Sequence, residues 1–318
     1  MLKTKVTEML GIEHPIIGGT MMWISKAEFT AAISEAGGLG ILASAIYHSK
    51  DEFRDALQKI KSLTPKPFAV NLNLFPAMRP INNEDYIEVL LDEGVKIVET
   101  SGHKAPTELY PPLKEAGCVL IHKCVGAKYA RKAVSIGADI VTVVGFENGG
   151  AVGNLGLGTF ALVPAVVDAV SAPVIGGGGV ADGRGLAAML ALGAQAAIVG
   201  TRLLLTEECP IHPNIKEALA SASETDTEVV MKCVNSAHRV WRNEPAAKLV
   251  EMDNRNASLA ELISVAGGDK ARVMFDQGKL DAGVIATGQA VGICREILPV
   301  KTVFESMVAD AARILRRD

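Results

Sequence analysis

The chain has 318 residues, a net charge of −4, 49% apolar residues and only 4% aromatic ones. That length suits an α/β domain with an insertion and a large aliphatic core. The weakly acidic balance gives no general attraction for nucleic acid or an anionic membrane, and no uninterrupted apolar run reaches the roughly 18 residues that a membrane span needs. The N-terminal MLKTKVTEMLGIEHP lacks the apolar stretch of a secretory signal. The five cysteines (118, 124, 209, 233, 294) are scattered and without a CxxC spacing. A cytoplasmic protein with no disulfide framework and no metal site is expected.

Short β-branched runs recur, with helical segments between them. In chain order these are a strand at 14–19 (HPIIGG), a helix at 26–36, a strand at 39–44 (LGILAS), a helix at 51–62 and a strand at 68–74 (FAVNLNL). A helix at 84–92 and strands at 97–102 (IVETSG) and 119–125 (VLIHKCV) follow, then a helix at 126–135 and a strand at 140–146 (IVTVVGF). The series closes with a strand at 174–179 (VIGGGG), a helix at 183–192 and a strand at 196–202 (AAIVGTR). The strand runs are continuous rather than alternating, which marks burial on both faces. Gly37, Gly94, Gly117, Gly137 and Gly193 stand where helices should stop. Eight strands alternating with helices predict a parallel sheet closed into a (β/α)8 TIM barrel, with an open doubly wound sheet as the alternative. Beyond the eighth strand the charge rises. Residues 207–290, with helices at 214–222 and 258–265, read as a smaller, mainly helical inserted domain. The barrel then comprises 1–206 and 291–318 and ends in a helix at 302–316.

In such a barrel chemistry gathers at the carboxyl ends of the strands. Asn71 and Asn73 are two apart on one strand, so both amides leave the same side. They suit the edge of a heterocycle or the capping of a strand end. His122 and Lys123 must point to opposite sides. The lysine reads as a cation beside an electron-rich ring or as a solvated rim residue, and the histidine as a satisfied residue behind the strand. GGGGVADGRG (176–185) followed by VGTR (199–202) offers two loops of exposed N–H groups at the strand ends where barrels hold phosphate, and Asp182-Gly183 opens a helix whose N-terminus favours anions. GFENGGAVGNLG (145–156) lets a ligand approach the backbone, and GGTMMW (18–23) suits one face of a flat ring. Trp23 reads equally as a cofactor wall or a buried anchor.

Taken together, HPIIGGTMMW, AGGLGIL, PFAVNLNL, IVETSG, HKC, GGGGVADGRG, GTRLLLTEECPIHP and GQAVG resemble the nitronate monooxygenase family, once called 2-nitropropane dioxygenases. They are also similar to the related NADH:quinone reductases and flavin-type enoyl-ACP reductases. The resemblance covers nearly the whole chain and implies an FMN-binding barrel oxidoreductase acting on a small molecule, with NAD(P)H as an optional co-substrate and a homodimer as a compatible assembly. By that resemblance Gly19, Thr20 and Met21 lie against the flavin, Asn73 bonds it with Asn71 in support, and Lys123 sits by its pyrimidine side. Gly149 and Gly150 pack near it, Gly177, Gly178, Gly179, Gly200 and Thr201 hold the phosphate, and Gln289 closes the site.

Two positions depart from the family pattern. Thr20 stands where the family often has glycine. Ala151 stands where Gly-Gly-His-x-Gly would place an acid–base histidine, and alanine transfers no proton. Oxidation of an alkyl nitronate with O2 is therefore expected first, since a nitronate is already deprotonated. NAD(P)H-dependent reduction of a quinone or enoyl group is the alternative. A non-redox sugar-phosphate barrel and a non-catalytic flavin-binding protein are readings of other classes. A nucleotide-monophosphate dehydrogenase is set aside, because no cysteine lies between Cys124 and Cys209.

Overall fold

The computed structural model describes residues 2–75, 82–102 and 104–316. Its main sheet contains β1 (Ile16–Gly18), β2 (Gly40–Ala43), β3 (Phe68–Leu74), β4 (Ile97–Gly102), β5 (Val119–Cys124) and β6 (Ile140–Val144). A two-residue strand, β7 (Gly150–Ala151), follows outside that sheet, and β8 (Val174–Gly177) and β9 (Ala196–Val199) complete it. The order is β1-β9-β8-β6-β5-β4-β3-β2, and every pairing is parallel. A parallel bridge between Ile17 and Leu39, with the Gly18 N–H donating to the Leu39 carbonyl at 2.9 Å, joins the two end strands. The sheet is a (β/α)8 barrel rather than an open one.

Alternation along each strand divides the aliphatic residues into two cores. Ile17, Ile41, Ala69, Ile97, Ile121, Ile140, Ile175 and Ile198 fill the barrel, and Val6 and Leu10 of the helix Lys5–Leu10 plug its amino end. The intervening residues, among them Val70, Leu72, Val98, Leu120, Val141 and Val199, face outward under the helices. This double burial is why the strand runs are continuous in sequence.

Helix limits fall within about two residues of expectation. The five helix-stopping glycines have φ between +67° and +111°. Several strands are shorter than their sequence runs, with 14–19 keeping only Ile16–Gly18 and 140–146 stopping at Val144. The run 174–179 stops at Gly177, and 196–202 stops at Val199, because Thr201–Leu204 is already helical. The helices Lys5–Leu10, Tyr110–Glu115 and Thr159–Val167 were not anticipated.

Residues beyond β9 build β10 (Thr227–Val230) and β11 (His238–Trp241), which form an antiparallel sheet in the order β10-β11-β7. The barrel loop after β6 thus contributes its edge strand. Val230, Val240, Leu249, Met252 and Leu262 form a separate cluster between this sheet and the helices Glu244–Asn254 and Leu259–Ala266. Much of GTRLLLTEECPIHP fastens this region to the barrel. Arg202 donates to the carbonyls of Leu205 and Glu296, Lys216 to those of Thr206 and Glu207, and the Glu208 carboxylate accepts the Val300 N–H that begins the last helix, Val300–Leu315. Among the described residues, no helix is long and apolar enough to cross a membrane and no cluster could hold a metal ion.

His122 shares the outward parity of Leu120. Its Nδ1 lies 2.8 Å from the Thr100 hydroxyl, which in turn lies 3.1 Å from the Tyr110 hydroxyl. Burial pushes its pKa below the ordinary 6.5. The folded state then resists a proton that the unfolded chain accepts, so stability present above 6.5 is lost as pH falls through 6.5 toward the folded value. His14 is depressed in the same direction. Urea unfolding of a His122→Gln variant between pH 7 and 5 should therefore give a shallower loss of stability than wild type. Identical slopes would show that His122 is not held neutral.

Candidate active site

Inward parity gathers Asn71, Asn73, Glu99, Ser101, Lys123 and Thr142 at the carboxyl half of the barrel. The register sets Asn71 beside Glu99, Asn73 beside Ser101, Ser101 beside Lys123, and Lys123 beside Thr142. Of the pair at strand five, Lys123 faces the mouth and His122 does not.

Glu99 is the unexpected member. It is fully buried, and a carboxylate taken out of water needs donors. Its Oε2 accepts from the Thr20 hydroxyl at 2.8 Å and from Asn71 Nδ2 at 2.6 Å. Asn71 Nδ2 also donates to the Ser101 hydroxyl at 3.0 Å. Glu99 Oε1 and the Thr142 hydroxyl are buried without partners. Thr20, the first departure from the family pattern, is thus a donor to a buried carboxylate. The signal for Glu99 was present as the one acid in IVETSG, two residues before Ser101. Asn73 behaves as a strand cap, since its Oδ1 accepts the Phe75 N–H at 3.1 Å.

The glycine loops after β8 and β9 divide into two kinds. A Cβ on Gly177 would lie 2.3 Å from Ile198 Cγ2, and one on Gly178 would lie 2.6 Å from the Thr159 hydroxyl, so packing alone demands glycine there. Gly200 differs, because a Cβ on it would meet nothing within 4 Å. Among the described residues, the N–H groups of Gly179, Gly200 and Thr201 donate to no backbone carbonyl. They form the open donor set of this corner. The helix Gly183–Ala191 does not add to it. Its N-terminus already holds an anion, because the Asp182 carboxylate accepts from the N–H groups of Arg184 and Gly185 and pairs with the Arg184 side chain. The Asp182 side chain, rather than a bound phosphate, therefore occupies the terminus that the sequence suggests as an anion site.

The loop after β1 is ordered by Gly19 N–H donating to the Val199 carbonyl and Met21 N–H donating to the Ser25 hydroxyl, both within 2.9 Å. Trp23, with φ of +64°, lies under the Arg272 guanidinium at 5.2 Å and against Gly268, which anchors the helix Gly268–Gln277 to the barrel. In the loop after β6, Glu147 accepts both the N–H and the hydroxyl of Thr159. The Arg239 guanidinium donates to the Phe146 carbonyl at 3.0 Å and stacks 4.9 Å from its ring, and burial lowers its pKa. Gly149 touches Gly288 so closely that a Cβ on it would lie 2.6 Å from the Gly288 nitrogen. Gln289 N–H donates to the Glu147 carbonyl and Gly288 N–H to the Thr201 hydroxyl, so the returning segment ties two rim loops together. Gly150 and Ala151 are drawn into the small sheet opposite Arg239 and His238.

The nitronate monooxygenase family profile matches residues 3–310. A (3aS,4S,5R,7aS)-5-hydroxy-7a-methyl-1-oxo-octahydro-1H-indene-4-carboxyl-CoA dehydrogenase of Mycobacterium tuberculosis is 36% identical, covering 98% of this chain and 96% of its own. A probable nitronate monooxygenase of Staphylococcus saprophyticus is 30% identical over 80% of this chain and 82% of its own. The solved structure of FabK from Thermotoga maritima is 36% identical with a TM-score of 0.92, covering 100% of this chain and 98% of that one.

Removing the Thr20 hydroxyl should weaken the support of Glu99. A hydrogen bond to a buried charged group contributes roughly 1.5–3 kcal/mol. Thr20→Val should lower apoprotein stability by about that amount, whereas Thr20→Ser should retain most of it. Denaturant titration of both variants checks this, and equal stability of Thr20→Val and wild type would remove the hydroxyl from the account.

Proposed function

The chain belongs to the nitronate monooxygenase family, and on that premise we propose that this oxidoreductase uses FMN bound across the barrel mouth. The observation that carries the reading is the open donor set of Gly179, Gly200 and Thr201 beside a polar mouth that contains Lys123. Those three N–H groups fit a phosphate. The orphaned Glu99 Oε1 and Thr142 hydroxyl fit a ligand rich in donors and acceptors. Gly19, Thr20, Met21, Asn73 and Lys123 would border the ring, Asn71 would hold Glu99, and Gly177 and Gly178 would shape the phosphate loop. Gly149, Gly150 and Gln289 would close the rim. Residues 207–290 would act as a substrate lid on a barrel made of 1–206 and 291–318.

When bound, flavin supplies reversible two-electron chemistry. The chain supplies orientation, a fixed cation at Lys123 for developing negative charge, and a lid that limits water. Likeness over nearly the full length to a carboxyl-CoA dehydrogenase favours an acyl thioester as the reacting partner, with NAD(P)H as the electron source in the reductive direction. Nitronate oxidation with O2 is the second reading, favoured by Ala151, since an ionised nitronate needs no base there. Anaerobic mixing of the flavin-loaded protein with NADH followed by crotonyl-CoA, and separately with propyl-2-nitronate, distinguishes the two by which substrate changes the flavin absorbance. A response to neither would reject both substrate classes.

Two variants test the cofactor site. Gly200→Asp adds bulk and a like charge where nothing else is displaced, so it should fold normally and purify without FMN. Full retention of FMN would place the phosphate elsewhere. Lys123→Met should lower the midpoint potential of bound FMN by on the order of 30 mV, equivalent to about 1.4 kcal/mol for a two-electron couple. An unchanged potential would put Lys123 outside the flavin's field.

A further inference from the structure

We propose that the helix Thr159–Val167 is the contact face of a two-fold symmetric dimer, in which an apolar knob at one end of the helix enters a groove at the other end of its copy.

Residues 148–167 include no Asp, Glu, Lys or Arg, and this is the one helix of eight or more residues among the described residues without a charged side chain. A helix on the outside of a barrel needs one apolar face, turned toward the sheet. Leu162, Val163 and Val166 supply it. The opposite face is apolar as well. Phe160, Pro164 and Val167 recur at i, i+4 and i+7, with Ala161 and Ala165 beside them. Phe160 is 77% exposed, and Ala161 and Ala165 are exposed too. A helix that is apolar all round belongs in an interior.

The two ends of this helix differ in shape. At its amino end Phe160 is joined by Leu155 and Leu157 of the loop after β6 and by Tyr129 of the helix Ala127–Ser135. Four of the ten large apolar side chains exposed among the described residues stand in this corner, which makes it a patch rather than scatter. A Cβ on Gly126 would lie 3.0 Å from Leu155 and 3.8 Å from Tyr129, so those two side chains share one spot. The loop is held there by the Leu157 carbonyl, which accepts the Phe146 N–H at 2.8 Å. At the carboxyl end the surface is hollow. Val167, Val170, Ala172 and Pro173 line a groove of about 270 Å³, with Lys5 and Gln195 as polar members of its wall. Knob and groove lie about 10–15 Å apart along the chain's own helix axis.

A two-fold axis across the helix near Pro164 sets two copies antiparallel and exchanges the ends. Each knob then meets the other copy's groove, and both grooves fill at once. Such a contact is isologous and closes at two chains. The small side chains of Ala161 and Ala165 let the helices approach closely. Charge favours the same arrangement. Lys128 is exposed beside the knob, and Asp168 is exposed just past the last turn of the contact helix, beside the groove. Neither forms an ion pair among the described residues. Antiparallel copies bring Asp168 toward the partner's Lys128, whereas parallel copies would set Asp168 against the partner's Asp168. The contact also reaches the rim. Thr159, next to the knob, is held through its N–H and hydroxyl by Glu147, so docking braces the loop after β6 from outside.

Sedimentation velocity of the full chain tests this. Wild type should sediment at twice the chain mass at micromolar concentration. Phe160→Glu should sediment at the single mass, with a dimer dissociation constant raised at least about 100-fold because both copies lose the knob. Its circular dichroism should be unchanged, since the side chain is exposed. Ser171→Trp, which fills the groove instead, should have the same effect. Asp168→Lys alone should weaken the dimer several-fold, and adding Lys128→Asp should restore it. A wild-type monomer would overturn the proposal and leave the face to a different apolar partner. A dimer that Phe160→Glu and Ser171→Trp leave intact, or a charge swap without recovery, would overturn it by putting the contact elsewhere.

Discussion

A parallel sheet leaves two rows of unpaired backbone groups at its ends, and in this protein they meet at a short seam. The three-residue β1 joins the head of β2 through Ile17 and Leu39. Closure gives every strand an inside and an outside, and chemistry follows from that division. Once Ile121 must face the barrel axis, Lys123 must emerge at the mouth and His122 must turn under the helices. The same rule sends Asn71, Glu99 and Ser101 inward while Val70, Val98 and Thr100 pack outward. The seam is sealed from outside by Phe304, whose ring lies so close to Gly38 that no other residue fits there. The last helix of the chain therefore guards the first strand pair.

Within the barrel the polar groups hold one another before any ligand arrives. Glu99 is bonded by Thr20 from one strand end and Asn71 from another, and Asn71 reaches Ser101 on the same strand as Glu99. This network explains why Thr20 is acceptable where a glycine is usual. Its hydroxyl is used by the protein, so the added bulk has a fixed direction. The open N–H groups at Gly179, Gly200 and Thr201 lie in the loops after β8 and β9, so the buried carboxyl group and the unfilled donor capacity come from different strand ends.

The barrel was legible because its signals are local and repeated. Continuous aliphatic runs, glycines at helix ends and the two-residue parity of strands each act over a few residues. Site residues at strand ends were legible for the same reason, as the opposed directions of His122 and Lys123 show. Asp182 was misread because a sequence shows a helix N-terminus but not that its own carboxylate has filled it. The small sheet was not legible at all. Its edge strand is two residues, one of them glycine with φ of +79°, and its partner lies almost ninety residues away. No periodicity can build in two residues, so the pairing of Ala151 with His238 appears only once the insertion folds back over the barrel.

That fold-back has a bearing on synthesis. Gly149 and Gly288 meet backbone to backbone, and the Thr201 hydroxyl waits for the N–H of Gly288, 87 residues further on. On the ribosome the eight barrel strands are complete well before this clasp can form. The segment around Gly288 that latches the rim, and after it Phe304 that covers the seam at Gly38, are therefore synthesised after every strand they hold. The order in which the chain is made thus puts the closing of the rim, and then the sealing of the first strand pair, after the strands themselves.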